Sequence, residues 1–434
     1  MALLCLAALT HFAALSYPRQ VVFDEAMMGK YVAGYCCTGE RVFDLHPPNA
    51  KLLIGASARL AGFDGRFPFG TIGLPYGDTP IFALRLVPAL AGTLIPALFF
   101  LLLREWRASY PVAFLGGLLL ALDNALLLET RIIVWDGILV ASTIATLWCF
   151  FRGAGHDRLE WKWLAGAGAF AGLAVGTKFT GLSAVAIMGL CLLSGAGVTR
   201  ARLAARVRAG ALIAVAGIAV YVAGWVGHAL LLTQPGPADA FYTSDGVVDE
   251  IVAAHRSMWR ENVNLSATHP DASAAWTWPL MRVAPYFWQG DGASIYLAGN
   301  PVVWWGTALL LVAIAGHVVL QRASGRTPAP TNPGPRVGLA LGAYLIAYVP
   351  LFFVSRVLFL YHYLTPLVLS VAVVLLALDR AGWTRPAGLT RQPASYYVVI
   401  ALAVAGFLAM SPLTYGYSAG GYDEWLASVV RSWR

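Results

Sequence analysis

Asp24 and Glu25 stand side by side just beyond the first apolar run, and Asp44-Leu45-His46-Pro47-Pro48-Asn49-Ala50-Lys51 follows about twenty residues later with another acid, a His and a Lys. A carboxylate at the edge of a low-dielectric phase can be tuned to work as a general base. Neighbouring side chains point in different directions, so one of Asp24 and Glu25 is expected to face a substrate while the other braces it. The same pair would also suit a helix N-terminus, where acids meet the positive end of the macrodipole. His46 precedes two prolines, which fix an extended kink and could equally make a structural turn.

Further charges sit where charge is costly. Arg85 lies inside an apolar run, about a turn from its end; such a residue suggests a site by default, or snorkels to the headgroups. Arg131, Asp136 and Lys178 stand at the ends of other runs. With Arg85 they could form a cationic pocket for a phosphate; Asp136 could instead pair with Arg131. Downstream come His269-Pro270-Asp271 and Trp276-Thr277-Trp278-Pro279, whose Trp residues ordinarily anchor at an interface. Arg356 and the Tyr361-His362-Tyr363 cluster return basic and aromatic groups to the same side.

The elements that must position these groups are membrane helices. Of 434 residues, 59% are hydrophobic and only 12% charged, with a mean hydropathy of +0.67; soluble domains carry about a quarter charged residues. A polytopic, all-α membrane protein follows. About eleven apolar runs approach the length of a span: near 1–16, 81–103, 110–128, 132–151, 161–175, 179–195, 209–232, 301–320, 337–354, 358–378 and 396–416. The first reads as an anchor rather than a cleaved leader, for want of a small-x-small site before Tyr17-Pro18. Arg104 and Arg107, Arg152 and Arg158, Arg202 and Arg206, Arg336, and Arg380 and Arg391 fall in every second connection, which therefore faces the cytoplasm. The net charge of +8 reports this orientation and implies no nucleic acid. Two long connections, 17–80 and 233–300, fall on the outer side and hold the acids, His and Trp. Loops of that length with this many aromatics are expected to fold as a functional face. One membrane domain over 1–434 is expected, without an internal repeat. Of five Cys, Cys36 and Cys37 are adjacent; they could bond in an oxidising compartment, although a bridge between neighbours is strained.

These residues resemble the protein O-mannosyltransferases, the dolichyl- or polyprenyl-phosphate-mannose-protein mannosyltransferases (GT39) of the GT-C glycosyltransferase class. The resemblance rests on Val22-Phe23-Asp24-Glu25, Asp44-Leu45-His46-Pro47-Pro48 with Lys51-Leu52-Leu53, Gly62-Phe63-Asp64-Gly65, Leu84-Arg85 and Leu122-Asp123-Asn124. It continues through Arg131-Ile132-Ile133 with Asp136, Gly176-Thr177-Lys178-Phe179-Thr180-Gly181, Thr268-His269-Pro270 and Trp278-Pro279-Leu280. Gly299-Asn300-Pro301 with Trp304-Trp305 and Phe359-Leu360-Tyr361-His362-Tyr363 complete the order over nearly the whole chain.

The resemblance implies a GT-C fold with about eleven spans and two long extracytoplasmic loops. It implies transfer of mannose from polyprenyl-phosphate-mannose to a Ser or Thr hydroxyl, with inversion at the anomeric carbon. Asp24 matches the family's catalytic acid and is expected to be the general base, with Glu25 supporting acceptor placement. Arg85 is expected at the donor phosphate or in the site's architecture, supported by Arg131, Lys178, His46, Arg356 and His362. No required metal is expected, because phosphate leaves readily and cations can stabilise it, although related GT-C enzymes often use a divalent ion. The chain departs from the family at Met27-Met28, where His-Phe is usual, and at Asp271, where a Tyr follows His-Pro. With His269 and Trp278 these residues are placed near the acceptor. The segment between Leu232 and Pro301 is too short for the soluble MIR domain of eukaryotic members. That and the Arg-rich composition imply a bacterial cell-membrane enzyme, active on the outer face, whose acceptors are proteins in transit from the secretion machinery. Members of the family can pair, so a dimer is among the implications. Nothing here reads the sugar, so a GT-C transferase acting on a lipid or glycan stays open, such as the aminoarabinose transferases of lipid A. A transporter or flippase is disfavoured, since those tend to carry paired repeats and ionisable groups at the midplane.

Overall fold

The computed structural model describes every residue except 156–157, 200–201, 243–245, 265–266, 325–335, 385–390 and 434. Among the described residues the first long connection, 17–80, holds α2 (Glu25–Ala33) and α3 (Asn49–Leu60), after α1 (Ala2–Phe12). The bundle continues through α4 (Ile81–Glu105), α5 (Tyr110–Ala121), α6 (Asn124–Glu129), α7 (Asp136–Ala154), α8 (Trp161–Val175), α9 (Leu182–Ser194) and α10 (Leu203–Leu231). The second long connection, 233–300, carries α11 (Val247–Asn264) and a hairpin of β1 (Tyr286–Gly290) and β2 (Ala293–Tyr296). Then follow α12 (Pro301–Ala323), α13 (Val337–Tyr348), α14 (Leu364–Arg380), α15 (Ala394–Tyr415) and α16 (Tyr422–Arg431).

Each expected span therefore contains a helix. Those of α4, α7, α10, α12, α14 and α15 are long and apolar enough to cross a membrane, and shorter apolar helices occupy α1, α5, α9 and α13. The chain is a multi-pass membrane protein. Small residues let helices approach closely: Gly168 and Gly172 of α8 pack against the backbone of α10 at Ile213 and Gly217, where a Cβ at either position would collide. One hydrophobic cluster draws on residues from Val22 to Phe407, so both halves of the chain share a core. At the basic end, Arg336 donates to the carbonyls of Gly197 at 3.1 Å and Gly155 at 3.3 Å, tying two basic connections together.

Two departures from the expected pattern matter for the site. The run 110–128 is broken at Leu122-Asp123 rather than continuous. Asp123 caps α6, its Oδ1 accepting from the Leu126 N–H at 2.9 Å. Its Oδ2 accepts from the Asn300 N–H at 3.1 Å and the Trp304 indole at 2.9 Å, so the break fastens the start of α12 to the bundle. An Asp123→Ala variant orphans three buried donors, each costing about 1–3 kcal/mol. We expect it to melt far below the wild type in a detergent thermal-shift assay, whereas an unchanged midpoint would show that the cap is dispensable.

The second departure is the hairpin, the one β-sheet among the described residues of a mostly helical chain. Its turn, Asp291-Gly292, has φ of 51° and 72°, the left-handed geometry that Asp-Gly favours between paired strands. Cys36 and Cys37, which the sequence leaves open, are joined as a disulfide in the π-helical turn Gly34–Thr38.

Candidate active site

The segment before α2 is held from both sides. Val21 donates to the Leu74 carbonyl at 2.9 Å and its own carbonyl accepts from Gly73 at 2.8 Å. From the hairpin, the Phe287 carbonyl accepts from the Phe23 N–H at 2.9 Å, and the two rings stack with centroids 3.9 Å apart. Trp288 donates to the Gln20 side chain at 2.7 Å. These contacts hold Phe23 at φ 47°, a conformation that costs a bulky residue roughly 1–3 kcal/mol. The turn at Phe23 separates the two acids that follow: Asp24 opens into a cavity, and Glu25 points into the core.

Glu25 and Arg85 are both 0% exposed and form a two-pronged ion pair, Nε to Oε1 at 2.8 Å and Nη2 to Oε2 at 2.9 Å. Glu25 also accepts from the Val22 N–H at 2.9 Å, the Tyr76 hydroxyl at 3.0 Å and the Ile133 N–H at 3.0 Å. The rest of the Arg85 guanidinium serves the carbonyls of Leu15, Tyr17, Pro18 and Gln20. A single buried pair thus joins the end of α1, the start of α2, α4 and the turn before α7.

The cavity is lined by Asp24, Met28, His46, Glu129, Trp135, Asp136, Lys178, His269, Arg356, Tyr361 and His362, among others. Lys178 bridges both oxygens of Asp136 at 2.8 and 2.7 Å and lies over the Tyr361 ring, 5.3 Å from its centroid. Burial pushes the Asp24 carboxyl up to about 6; the Lys178 ammonium pulls against this rise, and Asp136 and Asp44 add to it. Burial, with the positive charges of Lys178, Arg356 and Lys51, holds His46 well below the usual imidazole range, so its ring is neutral. The His46 carbonyl accepts from Lys51 at 2.6 Å, and Lys51 pairs with Asp44 at the same distance, fixing the loop that carries the ring. A wider, more open groove shares Thr268, His269, Arg356 and Val357 with the cavity and runs on past Trp276, Leu351 and Phe352.

Of the residues singled out from the sequence, Asp24, His46, Lys178, Arg356, His362, Met28 and His269 meet at this cavity. Glu25 and Arg85 stand behind it. Arg131 is turned away: it donates to the carbonyls of Thr10, His11 and Ala14 at 3.0, 2.6 and 3.0 Å and covers the Tyr415 ring. The last carbonyls of a helix lack intrahelical donors, and Arg131 supplies them at the end of α1. The phosphate pocket expected from Arg85 and Arg131 is therefore not formed by them, and Asp136 pairs with Lys178 instead of Arg131. Met27 is 55% exposed and outside the cavity lining. Asp271 is buried beneath the hairpin, accepting from the Tyr286 N–H at 3.1 Å. Trp278 is fully buried and donates to Ser273 at 3.0 Å. Sequence reasoning overlooked Glu129, although a lone acid after Leu126-Leu127-Leu128 is the kind of intramembrane charge that marks a site. Among the described residues, no three His, Cys, Asp or Glu side chains are grouped to hold a metal ion.

The family model described as dolichyl-phosphate-mannose-protein mannosyltransferase matches residues 1–197, and the one described as the C-terminal four TMM region of protein-O-mannosyltransferase matches residues 247–433. The chain belongs to the protein O-mannosyltransferase family. It is 36% identical to protein O-mannosyltransferase 1 of Drosophila pseudoobscura pseudoobscura over 254 residues, which are 56% of this chain and 28% of that one. It is 31% identical to dolichyl-phosphate-mannose-protein mannosyltransferase 4 of Saccharomyces cerevisiae over 258 residues, 55% of this chain and 34% of the yeast protein. The chain thus spans about a third of the length of these curated relatives. The fold of this chain superposes on the S. cerevisiae Pmt1-Pmt2 complex bound to the sugar donor with a TM-score of 0.87, at 18% identity, covering 96% of this chain and 89% of that one. ArnT from Cupriavidus metallidurans in the apo state superposes at 0.56, with 18% identity, over 100% of this chain and 68% of that one. The architecture is that of the GT-C membrane glycosyltransferases.

Proposed function

We propose that the chain is an inverting glycosyltransferase that moves mannose from polyprenyl-phosphate-mannose to Ser or Thr hydroxyls of proteins. The observation that carries this reading is the placement of Asp24: a carboxylate with a raised pKa opens into a cavity that also holds Lys178 and Arg356. In a single displacement the acceptor hydroxyl loses its proton to Asp24 as its oxygen bonds to the anomeric carbon. The bond from that carbon to the carrier phosphate breaks on the opposite face. Charge that builds on the departing phosphate meets the Lys178 and Arg356 cations, in a site where such contacts are stronger than in water. The groove presents Trp276, Leu351 and Phe352 to an isoprenoid tail, with Arg356 at its junction with the cavity. Glu25 and Arg85 act as positioning residues, holding the turn that aims Asp24.

In this reading the site works on the outer face of a bacterial cell membrane, at the end of the bundle opposite the basic loops, on proteins delivered by secretion; a second copy of the chain is a candidate partner. The chemistry is met by side-chain cations, so transfer is expected to survive EDTA unchanged; a loss restored by added Mn²⁺ or Mg²⁺ would overturn the metal-free account. Deprotonated Asp24 is the active form. Activity should therefore rise with pH through about 6 and level off above it, with a slope of one in the log plot of kcat/KM. A flat profile between pH 5 and 7.5 would contradict the role given to Asp24. The reading as a whole is tested by incubating the purified protein in lipid nanodiscs with radiolabelled polyprenyl-phosphate-mannose and Ser/Thr-rich peptides. Label on peptide hydroxyls is expected, whereas label on a lipid or glycan acceptor alone would move the assignment to another GT-C activity.

A further inference from the structure

The cavity contains a third carboxylate that the displacement leaves unused. Glu129, the last residue of α6, is 1% exposed, lines the cavity with Asp24, Asp136 and Lys178, and has no hydrogen-bond partner for its Oε1. Its neighbours do not release it. Asp136 occupies Lys178 with both oxygens, and Asp24 is committed to the acceptor in the reading above. The backbone on either side is pinned as well: the Thr130 hydroxyl bonds back to the Leu126 and Leu127 carbonyls at 2.9 Å, and Arg131 is fastened to the end of α1. Glu129 therefore cannot swing away to water. A buried acceptor without a donor is costly to keep, and its counterpart is expected to arrive with the ligand. The part of a sugar-phosphate donor rich in neutral hydrogen-bond donors is the ring, whose hydroxyls away from the anomeric carbon suit a carboxylate.

We propose that Glu129 is the residue that reads the donor sugar, accepting hydrogen bonds from one or two hexose hydroxyls away from the reacting carbon. The proposal rests on the transferase reading above and adds a specificity determinant to it. A site that hydrogen-bonds a substrate hydroxyl rejects the analogue lacking it, because a buried polar group is then left unpaired. The side chain takes no part in bond making, so its signature is selectivity among donors rather than the rate with one of them.

The test uses the full-length protein in nanodiscs and five donors: polyprenyl-phosphate-mannose and its 2-, 3-, 4- and 6-deoxy analogues, each with the same Ser/Thr peptide. Wild type is expected to disfavour one or two analogues by a hundredfold or more in kcat/KM. In Glu129→Leu that discrimination should collapse below tenfold for the same analogues and stay unchanged for the others. Glu129→Gln keeps the shape but exchanges one carboxyl oxygen for an amide nitrogen that cannot accept, so its discrimination should fall by about tenfold, the scale of one lost hydrogen bond. This variant keeps the test decisive if the leucine one fails to fold. An equal loss of kcat/KM on all five donors would reveal a structural role and overturn the proposal, as would unchanged selectivity in the glutamine variant. A wild type that transfers none of the five sugars would overturn the transferase reading itself.

Discussion

Asp24→Asn should reduce mannosyl transfer by roughly a thousandfold, within the span of about 10²–10⁴ that general-base catalysis contributes, while donor affinity and melting temperature stay near the wild-type values. The amide has the shape of the carboxylate but cannot take the proton of the acceptor hydroxyl. Folding should survive because the turn that presents residue 24 is held by its neighbours: the Phe23 N–H on the Phe287 carbonyl, the Phe23–Phe287 stack, and Glu25 locked by Arg85. The loss should therefore fall on kcat, with KM for the donor little changed. Turnover within tenfold of wild type would remove Asp24 from the base role and leave Glu129, the other cavity acid without a salt-bridging cation, as the first replacement to test.

Arg85→Ala should produce the largest loss of stability of any single substitution in the site region. Removing one partner of a buried ion pair strands the other charge, at a cost of about 3–5 kcal/mol. Here it strands Glu25 and also leaves the carbonyls of Leu15, Tyr17, Pro18 and Gln20 without their guanidinium. The turn that aims Asp24 would loosen with it, so activity should vanish together with the thermal transition rather than through donor affinity. Arg85→Lys should not rescue, since an ammonium cannot reproduce the planar fork that meets both oxygens of Glu25. A stable Arg85→Ala protein with weakened donor binding would return Arg85 to the phosphate, where its depth in an apolar run first suggested it.

That contrast shows where the sequence was legible. The helical membrane architecture was readable because long apolar runs leave little alternative for a chain with so few charges, and the cavity end was readable because acids and His cluster in alternate connections. Asp24, His46, Lys178 and His362 could be gathered from separated segments by the family resemblance, and Arg356 by its place beside the Tyr361-His362-Tyr363 cluster. What could not be read was direction. Arg85 and Arg131 look alike in sequence, each a cation near the end of an apolar run, yet one locks Glu25 and the other supplies donors to the end of α1. Both choices depend on which carbonyls come near, a tertiary fact. The same holds for Asp123, whose break in the 110–128 run reflects partners at Asn300 and Trp304, more than 170 residues away. The hairpin was marked by its Asp291-Gly292 turn, but a four- or five-residue strand is a weak signal within a long loop. Glu129 was passed over because it belongs to none of the acid, His and Lys clusters that mark the long connections, and its place at the cavity is a tertiary fact.

The most direct test of the central claim, a single displacement with Asp24 as base, is the configuration of the product's anomeric carbon. Polyprenyl-phosphate-mannose of defined configuration would be incubated with the protein and a Ser/Thr peptide, and the mannosyl peptide examined by NMR through its one-bond carbon–hydrogen coupling at that carbon. The account predicts a sugar on the hydroxyl oxygen with the configuration opposite to that of the donor. Retained configuration would require a covalent sugar-enzyme intermediate, and would contradict the single displacement and the role given to Asp24 together.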